Sequence, residues 1–499
     1  MKKKDSENSD RIRIREIRLD SDHQETSTDR RRNTELVIVT YVFVFLFLLL
    51  AGYLVYLNTA KRQELKTNVN NTKQDKRSDR VIRGSILTED GTVLAVTNTD
   101  ESGWENRYYP YENVFAHVVG YSGSGKSGLE AESNNDLLTS HSSLLNQIRS
   151  ENGNEKLRGD NVIVTLNVSL QRAAWDALGS YRGAVVVLEP DSGKILAMVS
   201  KPDFNPNTIS QDWESLVMDD TDSVLLNRAV QGLYPPGSTF KILTALAYIR
   251  EHPDSYQNFY FDCTGVLSKD EVTITCYNNS VHGQEDLKGA FAHSCNTAFA
   301  NIGLGLDLGA FRRLTEKFLF NSPLPTSLQH AKSVFELDRG ASYGEIMTTS
   351  IGQGDTLVTP LHMALITASV ANGGILMKPY CVARVETADG SVVSETHPSI
   401  YEKLMSVEEA EILTGFMKET VNSGTAVELS YSGYTAAGKT GSAEYETSDG
   451  TGTHSWFVGF SNVDDPDIVV AVIAEDGGTG SQTAVPIARK IFDAYYYGY

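Results

Sequence analysis

Apolar residues run without interruption through one segment near the N-terminus and recur periodically in the rest of the chain. The segment Leu36–Leu57 contains no charged residue and is long enough to cross a bilayer as a helix. A cleaved signal would have a shorter apolar core nearer the N-terminus, so the pattern predicts a retained single-pass anchor. The flanking sequence predicts a polar tail over residues 1–35 and a polar stalk over residues 58–80.

Beyond the stalk, the pattern predicts two folded regions. Residues 81–158 have a mixed pattern with a hairpin signal at Asp90-Gly91, which predicts a small mixed pedestal domain. Residues 159–499 begin with a helical pattern at Leu166–Leu178 and a hairpin pattern, continue with helical periodicity, and end in strand-like runs. Strands at both ends with helices between them predict an α+β fold, in which helices flank one antiparallel sheet built from distant parts of the chain.

Composition narrows the range of partners and cofactors. The formal net charge of −20 and the pI near 5.0 argue against a nucleic-acid partner, because phosphate backbones are bound by clustered lysines and arginines. Four cysteines do not make a disulfide framework in a chain of this size. Cys263 and Cys276 flank a turn-and-strand segment, and they either form one bridge or are two free thiols. No spacing of cysteine and histidine indicates zinc, so we expect no metal and no cofactor.

A serine and a lysine at helical spacing follow a turn in the middle of the chain. Ser238 and Lys241 come directly after the turn sequence Pro-Pro-Gly and open an apolar helical run. Positions i and i+3 lie on one face of a helix, so the lysine amine is placed to take the proton of the serine hydroxyl. An isolated S-x-x-K pattern more often marks a helix cap and a solvated lysine. The turn and two further motifs downstream favour a nucleophile and its general base.

Two short motifs downstream complete the pattern of a serine acyl-transfer enzyme. Ser294-Cys295-Asn296 is an S-x-N sequence, which is informative only because it lies between the other two motifs. Lys439-Thr440-Gly441 is a K-T-G sequence in a strand-like run. The alternative interpretation is an edge-strand lysine that discourages aggregation. Small residues around this motif favour a strand that a peptide substrate approaches closely.

The ordered set S-x-x-K, S-x-N and K-T-G resembles the penicillin-binding proteins, specifically the monofunctional class B transpeptidases. The resemblance covers most of residues 81–475. It includes these further segments: RGSILTEDGTVLA (83–95), GLE (128–130), PDFNPN (202–207), NRAVQGLYPPGSTFK (227–241), IGQGDTLVTPLHMA (351–364) and HSWFVGFSN (454–462). It implies the fold shared by serine transpeptidases and β-lactamases, preceded by the pedestal and by one transmembrane helix.

The resemblance also implies roles for individual residues. Ser238 would attack the penultimate D-Ala of a stem peptide ending in D-Ala-D-Ala, and Lys241 would accept and return the proton. Ser294 would relay a proton to the leaving amine, and Asn296 would hydrogen-bond the substrate amide. The substrate-binding residues implied in the K-T-G strand are Lys439, Thr440, Gly441 and Ser442. The family commonly has threonine in place of Ser442 and a smaller polar residue in place of Cys295, and neither difference removes a required group.

The implied partners are peptidoglycan stem peptides, β-lactam antibiotics and a SEDS-type glycan polymerase in the membrane. The residues between the stalk and Leu166, 81–165, are too few for a glycosyltransferase domain, so polymerisation is expected from a partner. The N-terminus would be cytoplasmic and the catalytic region would lie on the outer face of the cell membrane, although basic residues flank the anchor on both sides. The alternatives are a D,D-carboxypeptidase, a serine β-lactamase and a non-catalytic cell-wall scaffold.

Overall fold

The computed structural model describes residues 27–59, 80–142, 156–219, 221–447 and 450–498, within two compact units, Met1–Lys66 and Thr67–Tyr499. The first unit contains helix α1 (Ser27–Thr59), and its stretch Thr34–Tyr56 is long and apolar enough to cross a membrane. The anchor predicted over Leu36–Leu57 therefore corresponds to a helix. Residues 27–35 of the predicted tail and 58–59 of the predicted stalk belong to α1, Arg80 is also described, and the rest of both segments lies outside the described residues.

The second unit contains the remaining helices and all the strands of the described residues. The helices are α2 (Ala116–Val119), α3 (Gly128–Glu132), α4 (Asn134–Leu137), α5 (Val168–Leu178), α6 (Ile209–Val217), α7 (Lys241–Glu251), α8 (Leu287–Ala292), α9 (Asn296–Gly305), α10 (Leu308–Lys317), α11 (Tyr343–Ser350), α12 (Pro360–Ala371), α13 (Val407–Asn422) and α14 (Val485–Tyr497). The strands are β1 (Val81–Ile82), β2 (Ile86–Thr88), β3 (Val93–Thr99), β4 (Glu105–Tyr108), β5 (Leu157–Arg158), β6 (Asn161–Val164), β7 (Gly183–Leu188), β8 (Ile195–Lys201), β9 (Phe261–Cys263), β10 (Val266–Lys269), β11 (Val272–Thr275), β12 (Gly283–Glu285), β13 (Ile375–Met377), β14 (Val382–Glu386), β15 (Val392–Glu395), β16 (Ile400–Lys403), β17 (Ala436–Thr447), β18 (Gly450–Ser461) and β19 (Ile468–Ala474).

The main sheet has the strand order β17-β18-β19-β7-β8, and every neighbouring pair is antiparallel. Every residue of β7 and β19 is buried, because helices cover both faces of the sheet. Successive side chains of a strand point to opposite faces, so Ala184 and Val186 pack in the core that includes α12, while Val185 and Val187 pack with α5 and α14. This arrangement confirms the predicted α+β fold with an antiparallel sheet assembled from the two ends of the region.

A second sheet has the strand order β15-β14-β6-β2-β3-β4. The hairpin predicted at Asp90-Gly91 joins β2 to β3, and Gly91 has the positive φ of 85° that such a tight turn requires. The neighbouring strands β6 and β14 pair with each other, although they are more than two hundred residues apart in the sequence. The sheet therefore combines strands from both sides of the boundary predicted between residues 158 and 159.

Side-chain caps fix the start of several helices that position the site. Asn167 accepts a hydrogen bond from the backbone of Leu170 at the start of α5. α12 begins after Thr359, which caps it, and has proline as its first residue. Ser406 and Glu409 form a reciprocal capping box at the start of α13. Local sequence thus determines where these helices begin, while burial against the main sheet stabilises them.

Candidate active site

Ser238 lies on a 3-10 turn, Gly237–Phe240, that leads directly into α7. The turn packs closely against a second loop, where the backbone N–H of Gly237 donates to the carbonyl of Gly352 at 2.8 Å. Gly352 has a φ of 79°, and a Cβ atom there would lie 2.0 Å from the carbonyl oxygen of Gly237. Glycine at this position therefore holds the serine turn in place. Ser238 itself is partly exposed, as a nucleophile must be.

Lys241 is the first residue of α7, and its side chain is fully buried. Its amine Nζ lies 2.8 Å from the backbone carbonyl of Ser294, 3.3 Å from the Ser294 hydroxyl and 2.8 Å from Oδ1 of Asn296. The S-x-x-K and S-x-N motifs, which are distant in the sequence, thus share a hydrogen-bonded amine. A buried amine needs such partners because it has lost its contacts with water.

The S-x-N motif forms the turn before α9. Ser294 has a φ of 59°, in the left-handed region that non-glycine residues seldom adopt, and Cys295 caps the helix. Asn296 is the first residue of α9, and its amide nitrogen donates to the carbonyl of Thr275 at 3.0 Å. Tertiary contacts on both sides of this turn hold the strained backbone of Ser294 in place.

The K-T-G motif lies on β17, which is the edge strand of the main sheet, as the strand-like pattern predicted. The buried amine of Lys439 donates to the Ser294 hydroxyl at 3.0 Å and to the carbonyl of Thr440 at 3.0 Å. A Cβ atom on Gly441 would lie 3.1 Å from the carbonyl oxygen of Pro236, so glycine lets the strand approach the serine turn. The hydroxyl of Ser442 accepts from the backbone N–H of Gly480 at 3.3 Å.

Burial changes the acidity of both lysines. It lowers the pKa of Lys241 to about 7, although nearby Cys295 and Cys276 oppose the shift. Burial also lowers the pKa of Lys439 well below its ordinary value, and the charge of Lys241 lowers it further. Two amines that converge on the hydroxyl of Ser294 cannot both hold a proton at low cost. The pair is therefore able to supply a neutral amine near neutral pH.

An open groove of about 680 Å³ lies over these residues. Among the residues predicted from the sequence, those that line it are Ser238, Ser294, Asn296, Thr440 and Ser442. The buried side chains of Lys241 and Lys439 lie beneath them, and Gly441 lies within the strand between Thr440 and Ser442. The structure thus brings all eight predicted residues together at one site.

Several lining residues were not predicted. Thr425 lies beside Thr440, with 2.5 Å between the two hydroxyl oxygens, and the segment Thr479–Ser481 also lines the groove. No short motif marks these positions in the sequence. They reach the groove because the turn after α13 and the loop after β19 both end beside β17.

All four cysteines of the chain lie within the described residues, and all four are buried free thiols. The sulfur atoms of Cys263 and Cys276 are 3.7 Å apart, whereas a disulfide requires about 2.05 Å. Of the two alternatives left open by the sequence, the structure therefore has the unbridged one.

Comparison with known proteins finds relatives over most of the chain. Residues 183–493 match the penicillin binding protein transpeptidase domain, and residues 83–162 match the penicillin binding protein A dimerisation domain. The peptidoglycan D,D-transpeptidase PbpA of Mycolicibacterium smegmatis is 35% identical over 456 residues, which cover 84% of this chain and 91% of PbpA. The ceftriaxone acyl-enzyme of penicillin-binding protein A from M. tuberculosis has a TM-score of 0.77 and 31% identity, covering 85% of this chain and 100% of that chain. A chain from a peptidoglycan synthase complex that coordinates polymerization and crosslinking has a TM-score of 0.70, covering 93% of this chain and 98% of that chain, and its 23% identity shows the fold alone.

A serine-lysine pair beside the edge strand of an antiparallel sheet defines a serine acyl-transfer enzyme of the penicillin-binding type. The chain belongs to the penicillin-binding protein transpeptidase family, as a class B member with a pedestal ahead of its catalytic domain. Together with the apolar helix α1, this makes it a single-pass membrane protein. The family and the fold class drawn from the sequence are both confirmed.

Proposed function

We propose that this chain is a peptidoglycan D,D-transpeptidase with Ser238 as its nucleophile. Ser238 attacks the carbonyl carbon of the penultimate D-Ala in a donor stem peptide, forms an ester with it and releases the terminal D-Ala. The amine of a second stem peptide then attacks the ester, forms the cross-linking amide and restores the serine hydroxyl. The observation that carries the proposal is the buried amine of Lys241, which is one helical turn from Ser238 and contacts both polar residues of the S-x-N motif.

Lys241 acts as the general base in this proposal. A pKa of about 7 leaves a substantial fraction of the amine neutral at physiological pH, so it can take the proton of Ser238 as the ester forms. Ser294 is within 3.3 Å of the amine of Lys241 and 3.0 Å of that of Lys439. Its hydroxyl can therefore pass a proton toward the leaving amine of D-Ala.

The edge strand β17 binds the donor peptide in this proposal. When Lys241 is neutral, its charge no longer opposes protonation of Lys439, so Lys439 can carry the positive charge beneath the strand. The hydroxyls of Thr440 and Ser442 line the groove where the terminal carboxylate would lie. Asn296 supplies an amide for the peptide bond of the donor. The backbone N–H groups of Ser238 and Ser442 form the oxyanion hole, where loss of one such donor costs about 3 to 4 kcal/mol in the transition state. The same contacts accommodate a β-lactam, which acylates Ser238.

We further propose that the N-terminus is cytoplasmic and that the catalytic unit acts outside the membrane, where peptidoglycan is assembled. A SEDS-type membrane polymerase would supply the glycan strands. The region ahead of the catalytic domain matches a dimerisation domain, which supports the proposal that a partner supplies polymerisation. The family fold shared with a chain of a peptidoglycan synthase complex is compatible with such an assembly.

The experiment that tests the function measures how the acyl-enzyme is consumed. The full-length protein in detergent is incubated with a donor peptide ending in D-Ala-D-Ala, with and without a stem peptide that carries a free acceptor amine. We expect release of D-Ala and an amide-linked product whose yield rises with acceptor concentration. Hydrolysed donor at every acceptor concentration would identify a carboxypeptidase, and no release of D-Ala by folded protein would support the scaffold alternative.

Acylation is expected to depend on pH through Lys241. The base must be neutral, and its pKa is about 7, so the second-order rate of acylation by a penicillin should fall about tenfold per pH unit well below pH 7 and level off above pH 8. Labelling with a fluorescent penicillin, quenched at fixed times at each pH between about 5.5 and 9, measures this profile. The Lys241→Arg variant, whose side chain stays charged over this range, should react very slowly and without the same inflection. A flat profile for the unmodified chain would contradict the assignment.

A further inference from the structure

Three buried thiols and one imidazole converge behind the S-x-N turn. They belong to Cys263 at the end of β9, Cys276 just after β11, His282 just before β12 and Cys295 at the cap of α9. Their four potential ligand atoms all lie within 4.8 Å of one another. The three cysteines are 0 to 1% exposed and His282 is partly buried.

Three of the separations in this cluster match those of a tetrahedral metal site. The Cys276 sulfur is 3.7 Å from the Cys263 sulfur and 3.8 Å from the Cys295 sulfur. The Cys263 sulfur is 3.4 Å from Nδ1 of His282. Zinc bonds of about 2.3 Å to sulfur and 2.0 Å to nitrogen give about 3.8 Å between two sulfur ligands and about 3.5 Å between sulfur and nitrogen in a tetrahedron. A disulfide would require a far shorter distance.

The surroundings of the sulfur atoms are suited to thiolates. The hydroxyl of Thr297 lies 3.3 Å from the sulfur of Cys263, 3.5 Å from that of Cys276 and 3.3 Å from that of Cys295. Backbone N–H groups donate to two of the sulfurs, from Gly265 to Cys263 and from Ala298 to Cys295, both at 3.4 Å. Donors that surround metal-bound sulfur spread its negative charge. An apolar packing role for three thiols would not require these donors.

We propose that Cys263, Cys276, Cys295 and His282 bind one Zn²⁺ ion. Three soft thiolates and one imidazole in tetrahedral geometry select zinc over calcium or magnesium, which prefer oxygen. Four protein ligands complete the coordination shell and leave no position for water, so the ion is structural. This proposal replaces the expectation of no zinc site, which rested on spacing: the four ligands are spread over residues 263–295 with no pair at the short spacing typical of zinc motifs.

The ion positions the catalytic turn, an inference that rests on the proposed function. Cys295 lies between Ser294 and Asn296, whose side chains both contact the amine of Lys241. Asn296 is also bonded to the carbonyl of Thr275, which is adjacent to Cys276. A metal bound by both Cys276 and Cys295 therefore holds the segment that contains Thr275 against the one that contains Asn296. It also stabilises the left-handed backbone of Ser294. Zinc is a positioning group here and takes no part in bond making.

The first test measures metal content directly. The full-length protein, purified in detergent without added metal, is analysed by inductively coupled plasma mass spectrometry. We expect about one zinc ion per chain in the unmodified protein and a loss of most of it in Cys276→Ser. Cys381→Ser is the matched control, because Cys381 is also a buried free thiol but lies outside the cluster, and it should keep its zinc. Equal zinc in both variants, or none in the unmodified protein even after zinc is added, would overturn the proposal.

The second test uses the unmodified chain and so does not depend on the folding of a variant. Zinc is removed with a chelator under reducing conditions and then replaced by Co²⁺, whose absorption spectrum reports tetrahedral thiolate ligands. We expect that spectrum, and a decrease of at least about tenfold in penicillin acylation by the zinc-free chain that added zinc reverses. An octahedral cobalt spectrum would overturn the ligand set, and unchanged acylation without zinc would overturn the positioning role. The measurement of metal content does not require catalytic activity. A chain that binds zinc but is never acylated by penicillin would therefore refute the proposed function and leave the zinc site in place.

Discussion

Replacing Ser238 by alanine is expected to abolish covalent labelling of the full-length chain by a fluorescent penicillin. The variant keeps Lys241 and the groove but lacks the oxygen that forms the ester bond. Removal of the nucleophile from a serine enzyme leaves only the contribution of binding and the oxyanion hole, so the acylation rate should fall by about 10⁴-fold or more. Labelling is measured by gel fluorescence over hours, and the site is identified by mass spectrometry of the labelled peptide.

The control for this variant is Ser430→Ala. Ser430 is an exposed serine on the 3-10 helix Val427–Tyr431, away from the residues that line the groove, so its loss should leave labelling unchanged. Persistent labelling of Ser238→Ala would show that another group is acylated and would contradict the assignment. The same variant distinguishes a scaffold from an enzyme in cells, because a scaffold would still support growth without the Ser238 hydroxyl.

The parts of the site that could be predicted from the sequence are those set by local geometry. Ser238 and Lys241 are three residues apart where a turn enters a helix, and this spacing alone places both on one side. The strand character of Lys439 follows from the strand-like run around it, which forms β17. In both cases the determining contacts lie within one turn or one strand.

The parts that could not be predicted depend on contacts between distant segments. The amines of Lys241 and Lys439 meet at Ser294 only because α7, α9 and β17 pack around one groove. Thr425 reaches the same place through the end of α13, and no motif marks it. Strand β14 joins the sheet of the pedestal for a similar reason, since strand pairing across a long connection is decided by burial of the whole face and not by local pattern.

A buried ion-pair network connects several elements of the pedestal. Glu130 is fully buried, and its carboxylate lies 2.6 Å from Nε of Arg83 and 2.7 Å from Nε of Arg107. The hydroxyl of Tyr109 donates to the same carboxylate at 3.2 Å. Arg83 also donates to the side chain of Asn134, so the network joins β4, α3 and α4 with the segment between β1 and β2. Burial alone would raise the pKa of Glu130, but Arg107 and Arg83 outweigh it and hold the pKa below its ordinary value.

Glu130→Ala is expected to reduce the free energy of unfolding by about 3 to 5 kcal/mol, because it leaves Arg83 and Arg107 buried without their partner. Urea unfolding of the full-length chain in detergent, followed by circular dichroism, measures the loss, with the exposed Glu101→Ala as the control that should change little.

The lowered pKa of Glu130 also predicts how the stability of the chain depends on pH. Its stabilisation is present above the ordinary carboxyl pKa and disappears as the pH falls through the folded-state value, so acidification should destabilise the unmodified chain more than Glu130→Ala. Equal stability of Glu130→Ala and Glu101→Ala at neutral pH would show that the network does not hold the pedestal together.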